Sequence, residues 1–138
     1  MSKLDAVLAA YPGKVKLIFK QFPLDTHSNA AVAAAAAVAA HRQGKFWEMH
    51  DALFAHRKEL SLDNIRDIAR QLGLDMKRFD ADLPSAEVTG AVVKDMQDGD
   101  KAGVEGTPTV YIDGKKYNGS LELPAIKTII DAELKQAH

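Results

Sequence analysis

The sequence predicts an α/β domain in which a small sheet is interrupted by a block of helices. Three observations carry this. Apolar residues recur at helical spacing from the alanine-rich run at residues 29–42 to the helix carrying Val88, Val92 and Met96. The run Thr109–Ile112 is β-branched and aromatic, and Asp113-Gly114 follows it, a dipeptide that favours the two-residue hairpin turn. Val15–Phe19 alternates apolar and polar residues apart from Ile18, the period of a half-buried strand.

Composition narrows the class. A chain of 138 residues fits one domain with a sizeable core, and 46% hydrophobic with 27% charged residues is the balance of a globular protein. A formal net charge of -1 leaves no basic surplus to neutralise phosphates, so no nucleic-acid partner is expected. Met1-Ser2-Lys3-Leu4-Asp5 lacks the apolar centre of a signal peptide, and no apolar run is long enough to span a bilayer, so no membrane insertion is expected. The cysteine count is 0, which excludes a disulfide framework, a thiolate metal site and a cysteine nucleophile.

In chain order, Leu4, Val7 and Leu8 predict a short helix over residues 3–10, stopped by Tyr11-Pro12-Gly13. After Val15–Phe19, Thr26 or Ser28 can cap the helix that follows. Ala30 to Ala40 holds only alanine, Val32 and Val38, which predicts a buried helix with close neighbours. Gly44 separates it from a helix carrying Phe46, Trp47, Met49, His50, Leu53 and Phe54, and this helix, which holds the chain's only tryptophan, is expected to be a core anchor. Ser61 caps a helix with Ile65, Ile68, Ala69 and Leu72 on one face, closed by Gly73. Leu74 is expected to pack on Phe79 as a hydrophobic staple around a start at Asp75. Pro84-Ser85 opens the next helix, weakened by Gly90 and Gly99. The last helix begins near Pro124 and presents Ile126, Ile129, Ile130 and Leu134.

Several constellations invite chemical readings. His27, His41, His50 and His56 include no His-Glu-x-x-His pattern, so helix-surface or half-buried histidines are expected and no metal. Asp51 beside His50 suggests a dyad, but no serine or threonine is placed to be activated by it. Asp95, Asp98 and Asp100 lack the spacing and closing glutamate of a calcium loop and read as a solvated helix face. Lys115-Lys116 is too small a basic cluster for a phosphate site. No cofactor is expected.

The stretch from Gly103 through Gly106-Thr107-Pro108-Thr109 to Ile112-Asp113-Gly114 organises the rest. A proline cannot donate to a ladder, so Pro108 belongs at the entrance of the strand, and Thr107-Pro108 is a candidate for the cis form. Taken with Tyr11–Val15, Phe19–Leu24 and His27, the alanine-rich helix, Gly44–Phe54 and Leu72–Asp75, this stretch resembles the DsbA-like branch of the thioredoxin superfamily over nearly the whole chain. The resemblance implies a thioredoxin-like sheet with an inserted helical subdomain: one domain over residues 1–138, with the insertion at 25–103. It implies thiol–disulfide oxidoreduction on protein or peptide thiol substrates, with Gly106, Thr107 and Pro108 as substrate-binding residues. It also points to a bacterial periplasm or cell envelope.

The sequence departs from that family in one respect. Members begin with a strand that enters a Cys-Pro-x-Cys motif at the start of a helix, and this sequence starts within the counterpart of that helix. Exchange needs a thiolate nucleophile and a resolving thiol, and neither Ser2 nor Thr107 can replace them. The expectation is an N-terminally truncated, redox-inactive relative, with no catalytic residue; the alternative is a non-catalytic, chaperone-like peptide-binding module. Because the family's lost strand is central, the sheet would be left open between Val15–Phe19 and Thr109–Ile112. Direct closure of these two segments or a homodimer would repair it, and the dimer is favoured.

Overall fold

The computed structural model describes residues 2–24 and 29–136. In chain order these form α1 (Ser2–Ala10), α2 (Ala30–His41), α3 (Phe46–Ala55), α4 (Leu62–Gln71), α5 (Met76–Asp82), α6 (Ala86–Lys101), β1 (Val110–Ile112), β2 (Lys115–Tyr117) and α7 (Leu123–Gln136). They divide into two compact units: Met1–Phe19 with Gly106–His138, and Lys20–Glu105.

The first unit is built on a hairpin and two helices. β1 and β2 are antiparallel, with Val110 opposite Tyr117, Tyr111 opposite Lys116 and Ile112 opposite Lys115. Asp113 has φ 50° and Gly114 φ 81°, and positive φ at both central residues is what a tight hairpin turn of the right twist demands. Alternation places Ile112 and Tyr117 on the face that packs with Val7, Tyr11, Ile126 and Ile130 from α1, its following turn and α7. From the same face Lys115 reaches Glu133 of α7 at 2.9 Å. Lys3 and Glu122 form a second ion pair at 2.7 Å.

The expected strand at Val15–Phe19 does not form. The sheet among the described residues has the order β1-β2 and no third strand, so neither the strand nor its closure on Thr109–Ile112 is present. The period of two persists in burial: Val15, Leu17 and Phe19 are half-buried, while Lys16, Ile18 and Lys20 are exposed. The segment keeps the pattern of a strand and lacks the ladder that would make it one.

The second unit is a helical cluster around α2. Ala34, Ala36, Ala37, Ala39 and Ala40 are buried on several sides of that helix, which touches α3, α4, α5 and α6. Methyl side chains are what allow four neighbours to approach one axis. Met49, Leu53, Ile65, Ile68, Leu74, Phe79 and Val88 fill the core around it. The expected cap at Thr26 or Ser28 lies outside the described residues; Asn29 stands at the N-cap and makes no side-chain cap bond. Three other helices are capped as the sequence suggests. Ser61 Oγ accepts from Asn64 N–H at 3.1 Å, Asp75 Oδ1 from Arg78 N–H at 3.2 Å, and Ser85 Oγ from Val88 N–H at 3.2 Å.

α3 is the core anchor that the sequence suggested, through Met49, His50 and Leu53, and its tryptophan, Trp47, lies outside that stripe. Trp47 is 39% exposed and Phe54 is 52% exposed, whereas Met49 is fully buried. The reason is helical phase. Met49 and Leu53, four residues apart, share the inward stripe, and Trp47 lies two residues before it on another side.

Candidate functional site

The loop entering β1 carries the sequence-predicted site residues. Gly106 is half-buried, and Thr107 and Pro108 are exposed. The Thr107–Pro108 peptide is cis. Thr109 Oγ1 donates to Gly106 O at 2.5 Å, a bond that folds the loop back on itself and leaves Pro108 at its outer turn. Beside it lies an open groove of about 240 Å³ lined by Pro108, Thr109, Val110, Lys116, Tyr117 and Asn118 among others. Tyr117 Oη donates to Ser120 O and so fixes the far wall. The groove offers hydroxyl, amide and ammonium groups from Thr109, Asn118 and Lys116. These groups can hydrogen-bond an extended chain, and none of them is a thiol.

The other sequence candidates are dispersed. His27 lies outside the described residues. His41 is exposed at the end of α2, and His56 is exposed with its Nδ1 at 2.8 Å from Ala52 O. His50 is 3% exposed, its Nδ1 3.2 Å from the carboxylate of exposed Asp51. Its ring belongs to an aromatic set on α3: Phe46 and Trp47 meet edge to face at 4.8 Å, and His50 lies 5.3 Å from Trp47 and 4.7 Å from Phe54. Among the described residues no group of three histidines or carboxylates could hold a metal ion.

Asp95 and Asp98 serve a different purpose from either of those weighed above. Asp98 Oδ2 accepts from Lys20 Nζ at 2.9 Å and Asp98 Oδ1 from Lys94 Nζ at 3.1 Å, while Asp95 Oδ2 accepts the backbone N–H of Gln21 at 2.9 Å. The hydrogen bonds from Lys20 and then Lys94 hold the Asp98 carboxyl below its usual range, and Asp98 in turn raises Lys20. These carboxylates fasten the chain at Lys20-Gln21 to α6. Sequence reasoning missed this, although the i, i+4 spacing of Lys94 and Asp98 was a signal for part of it.

Also missed was the environment of Tyr11. Its hydroxyl donates to Asp131 Oδ1 at 2.6 Å and to Lys127 O at 3.3 Å, and Lys127 Nζ lies 5.4 Å from the ring centroid. Burial first, then the hydrogen bond and charge of Asp131, push the phenol from 10.0 up to about 12. A neutral, buried phenol of this kind pins the turn after α1 to α7 rather than donating protons near neutrality.

Comparison with known proteins bears on the whole chain. The sequence profile of the family described as Thioredoxin matches residues 2–132. A thioredoxin-like oxidoreductase from Silicibacter pomeroyi superposes with a TM-score of 0.78 at 27% identity, covering 98% of this chain and 77% of that one. The thiol-disulfide exchange protein alpha-DsbA2 from Wolbachia pipientis superposes with a TM-score of 0.82 at 23% identity, covering 95% and 71%, a likeness of fold. The Na(+)/H(+) antiporter NhaA 3 of Salinispora tropica is 37% identical over 117 residues, 84% of this chain and 18% of that protein. NhaA 1 of Mycolicibacterium gilvum is 32% identical over 132 residues, 94% of this chain and 21% of that protein. The chain thus spans about a fifth of the length of the curated relatives it matches. No helix among the described residues is long and apolar enough to cross a membrane.

Proposed function

Because this chain belongs to the thioredoxin family, with the fold of the DsbA-like thiol–disulfide oxidoreductases, we propose that it is a redox-inactive member of that group. In this reading residues 1–138 are one domain, and 25–103 are a helical insertion within it. The observation that carries the inactivity is the cysteine count of 0. Disulfide exchange proceeds by thiolate attack through a mixed disulfide, and no other side chain supplies that nucleophile. The chain is assayed for reduction of insulin by dithiothreitol. The expected rate equals that of an albumin control. Turnover above the control that survives repurification overturns the reading.

A second reading is favoured by the groove beside Pro108: non-catalytic capture of an extended protein or peptide segment, as a chaperone-like module would perform. Gly106, Thr107 and Pro108 are the substrate-binding residues in this proposal. The open groove lined by Thr109, Lys116 and Asn118, with their hydroxyl, ammonium and amide groups, supports it. Titration with a reduced, carboxymethylated unfolded protein is the test, read by amide chemical shifts. Shifts concentrated at Gly106–Val110 support the reading, and shifts elsewhere or none reject it. The transport activity named for the antiporter relatives is not carried over to this chain.

A further inference from the structure

The chain has three asparagines, and they sit in unlike surroundings. Asn29 precedes Ala30 at the start of α2. Asn64 lies within α4 before Ile65; its side-chain amide donates to Glu59 O at 2.6 Å, and Ile65 N–H is tied to Ser61 O at 2.9 Å. Asn118 precedes Gly119 in the exposed loop that leaves β2. Among the described residues its side chain makes no hydrogen bond, and no backbone hydrogen bond holds Gly119 N–H. An exposed loop asparagine before glycine is placed for an internal reaction. The next backbone nitrogen can reach the amide carbon, and glycine has no Cβ to block the approach. Tyr117 keeps glycine in that place. A Cβ at Gly119 would lie 2.6 Å from Tyr117 Oη and 2.7 Å from its Cζ, and the same hydroxyl is engaged by Ser120 O.

We propose that Asn118 is a site of spontaneous deamidation in the folded protein. Gly119 N loses its proton to solvent base and attacks Asn118 Cγ. The new N–C bond closes a succinimide ring, and the side-chain nitrogen leaves as ammonia. Water then opens the ring. Addition at the former side-chain carbonyl gives aspartate, and addition at the main-chain carbonyl gives isoaspartate. The sum exchanges an amide and a water for a carboxylic acid and ammonia. Asn118 and Lys116 both line the groove beside Pro108. The product therefore gives that groove a carboxylate where it had a neutral amide, and the isoaspartate form also lengthens the main chain after β2 by one carbon. The groove's charge thus depends on the age of the protein. The proposal stands without the peptide-capture reading.

The folded chain is incubated at physiological temperature, at neutral and at mildly alkaline pH. It is then digested in mild acid, where the reaction is slow, and mapped by mass spectrometry. The expected result is loss of most of the Asn118 amide while those of Asn29 and Asn64 persist. The loss should be faster at the higher pH, because the attacking nitrogen must first give up its proton. Part of the product should be isoaspartate, read by its methylation with an isoaspartate methyltransferase. Asn118→Gln keeps an exposed amide but would have to close a larger ring, so the isoaspartate signal should disappear. An Asn118 amide that survives as well as those of Asn29 and Asn64 overturns the proposal. So does conversion confined to the urea-unfolded chain, which would mean that the folded loop holds the two groups apart. Aspartate without isoaspartate overturns it as well, since direct hydrolysis would then be at work.

Discussion

Two glycines of α6 look alike in the sequence and differ in their surroundings. A Cβ at Gly99 would lie 2.8 Å from Cδ1 and Cε1 of Phe22, whereas nothing lies within 4 Å of one at Gly90. Gly99 is therefore the seat of an aromatic ring, and Gly90 only weakens its helix. Gly90→Ala should raise stability by about 1 kcal/mol. Gly99→Ala should lower it by about 1–3 kcal/mol through overpacking, despite the same gain in helix propensity. Urea midpoints of the two variants check both signs. At Tyr11 the prediction is one of pH. Below pH 10.0 the phenol is protonated in the folded and unfolded states alike; above it the unfolded chain loses the proton while the folded chain keeps it to about 12. The contribution is full below 10.0 and is lost across that window. Tyr11→Phe should make the alkaline decline in stability shallower than in the parent, as measured by thermal melts over that pH range.

At the scale of elements, the helices were legible because their signals are local. Ser61, Asp75 and Ser85 announce the starts of α4, α5 and α6, and each makes the cap bond its residue type suggests. The hairpin was legible in Asp113-Gly114 for the same reason. Val15–Phe19 was not, because a strand is a property of two segments and sequence alternation reports only one. α3 was legible as a core anchor, because the spacing of Met49 and Leu53 marks the stripe that it turns inward. The alanine helix gives a sharp test of what local reading got right. Ala39 is 0% exposed and Ala31 is exposed. Ala39→Leu should cost at least about 1–3 kcal/mol, and Ala31→Leu should lie within about 0.5 kcal/mol of the parent, as read by urea denaturation.

Across the whole molecule, the fold was legible because the segments quoted for the resemblance cover nearly the full chain. The fastening of Lys20-Gln21 to α6 was not, since its partners are separated by 78 residues for Lys20 and Asp98 and by 74 for Gln21 and Asp95. Acid should reveal such links. Hydrogen bonding to Arg66 holds the Asp80 carboxyl below 3.8, as Lys20 and Lys94 hold Asp98. A lowered folded value means stability that is present above the unfolded value and lost as pH falls through the folded one. Replacing Asp80 with Asn should therefore reduce stability at neutral pH and converge with the parent in strong acid, a comparison made by melts from pH 7 down to about 2.

The packing of α2 against four other helices also sets a clock. An amide exchanges with solvent only when its hydrogen bond opens, and opening α2 means separating α3, α4, α5 and α6 from it at once. In deuterium oxide the amides of Ala36 to Ala40 should be among the last to exchange, at a rate that reports global unfolding. Those of Lys16 to Ile18, which no backbone hydrogen bond protects, should be among the first.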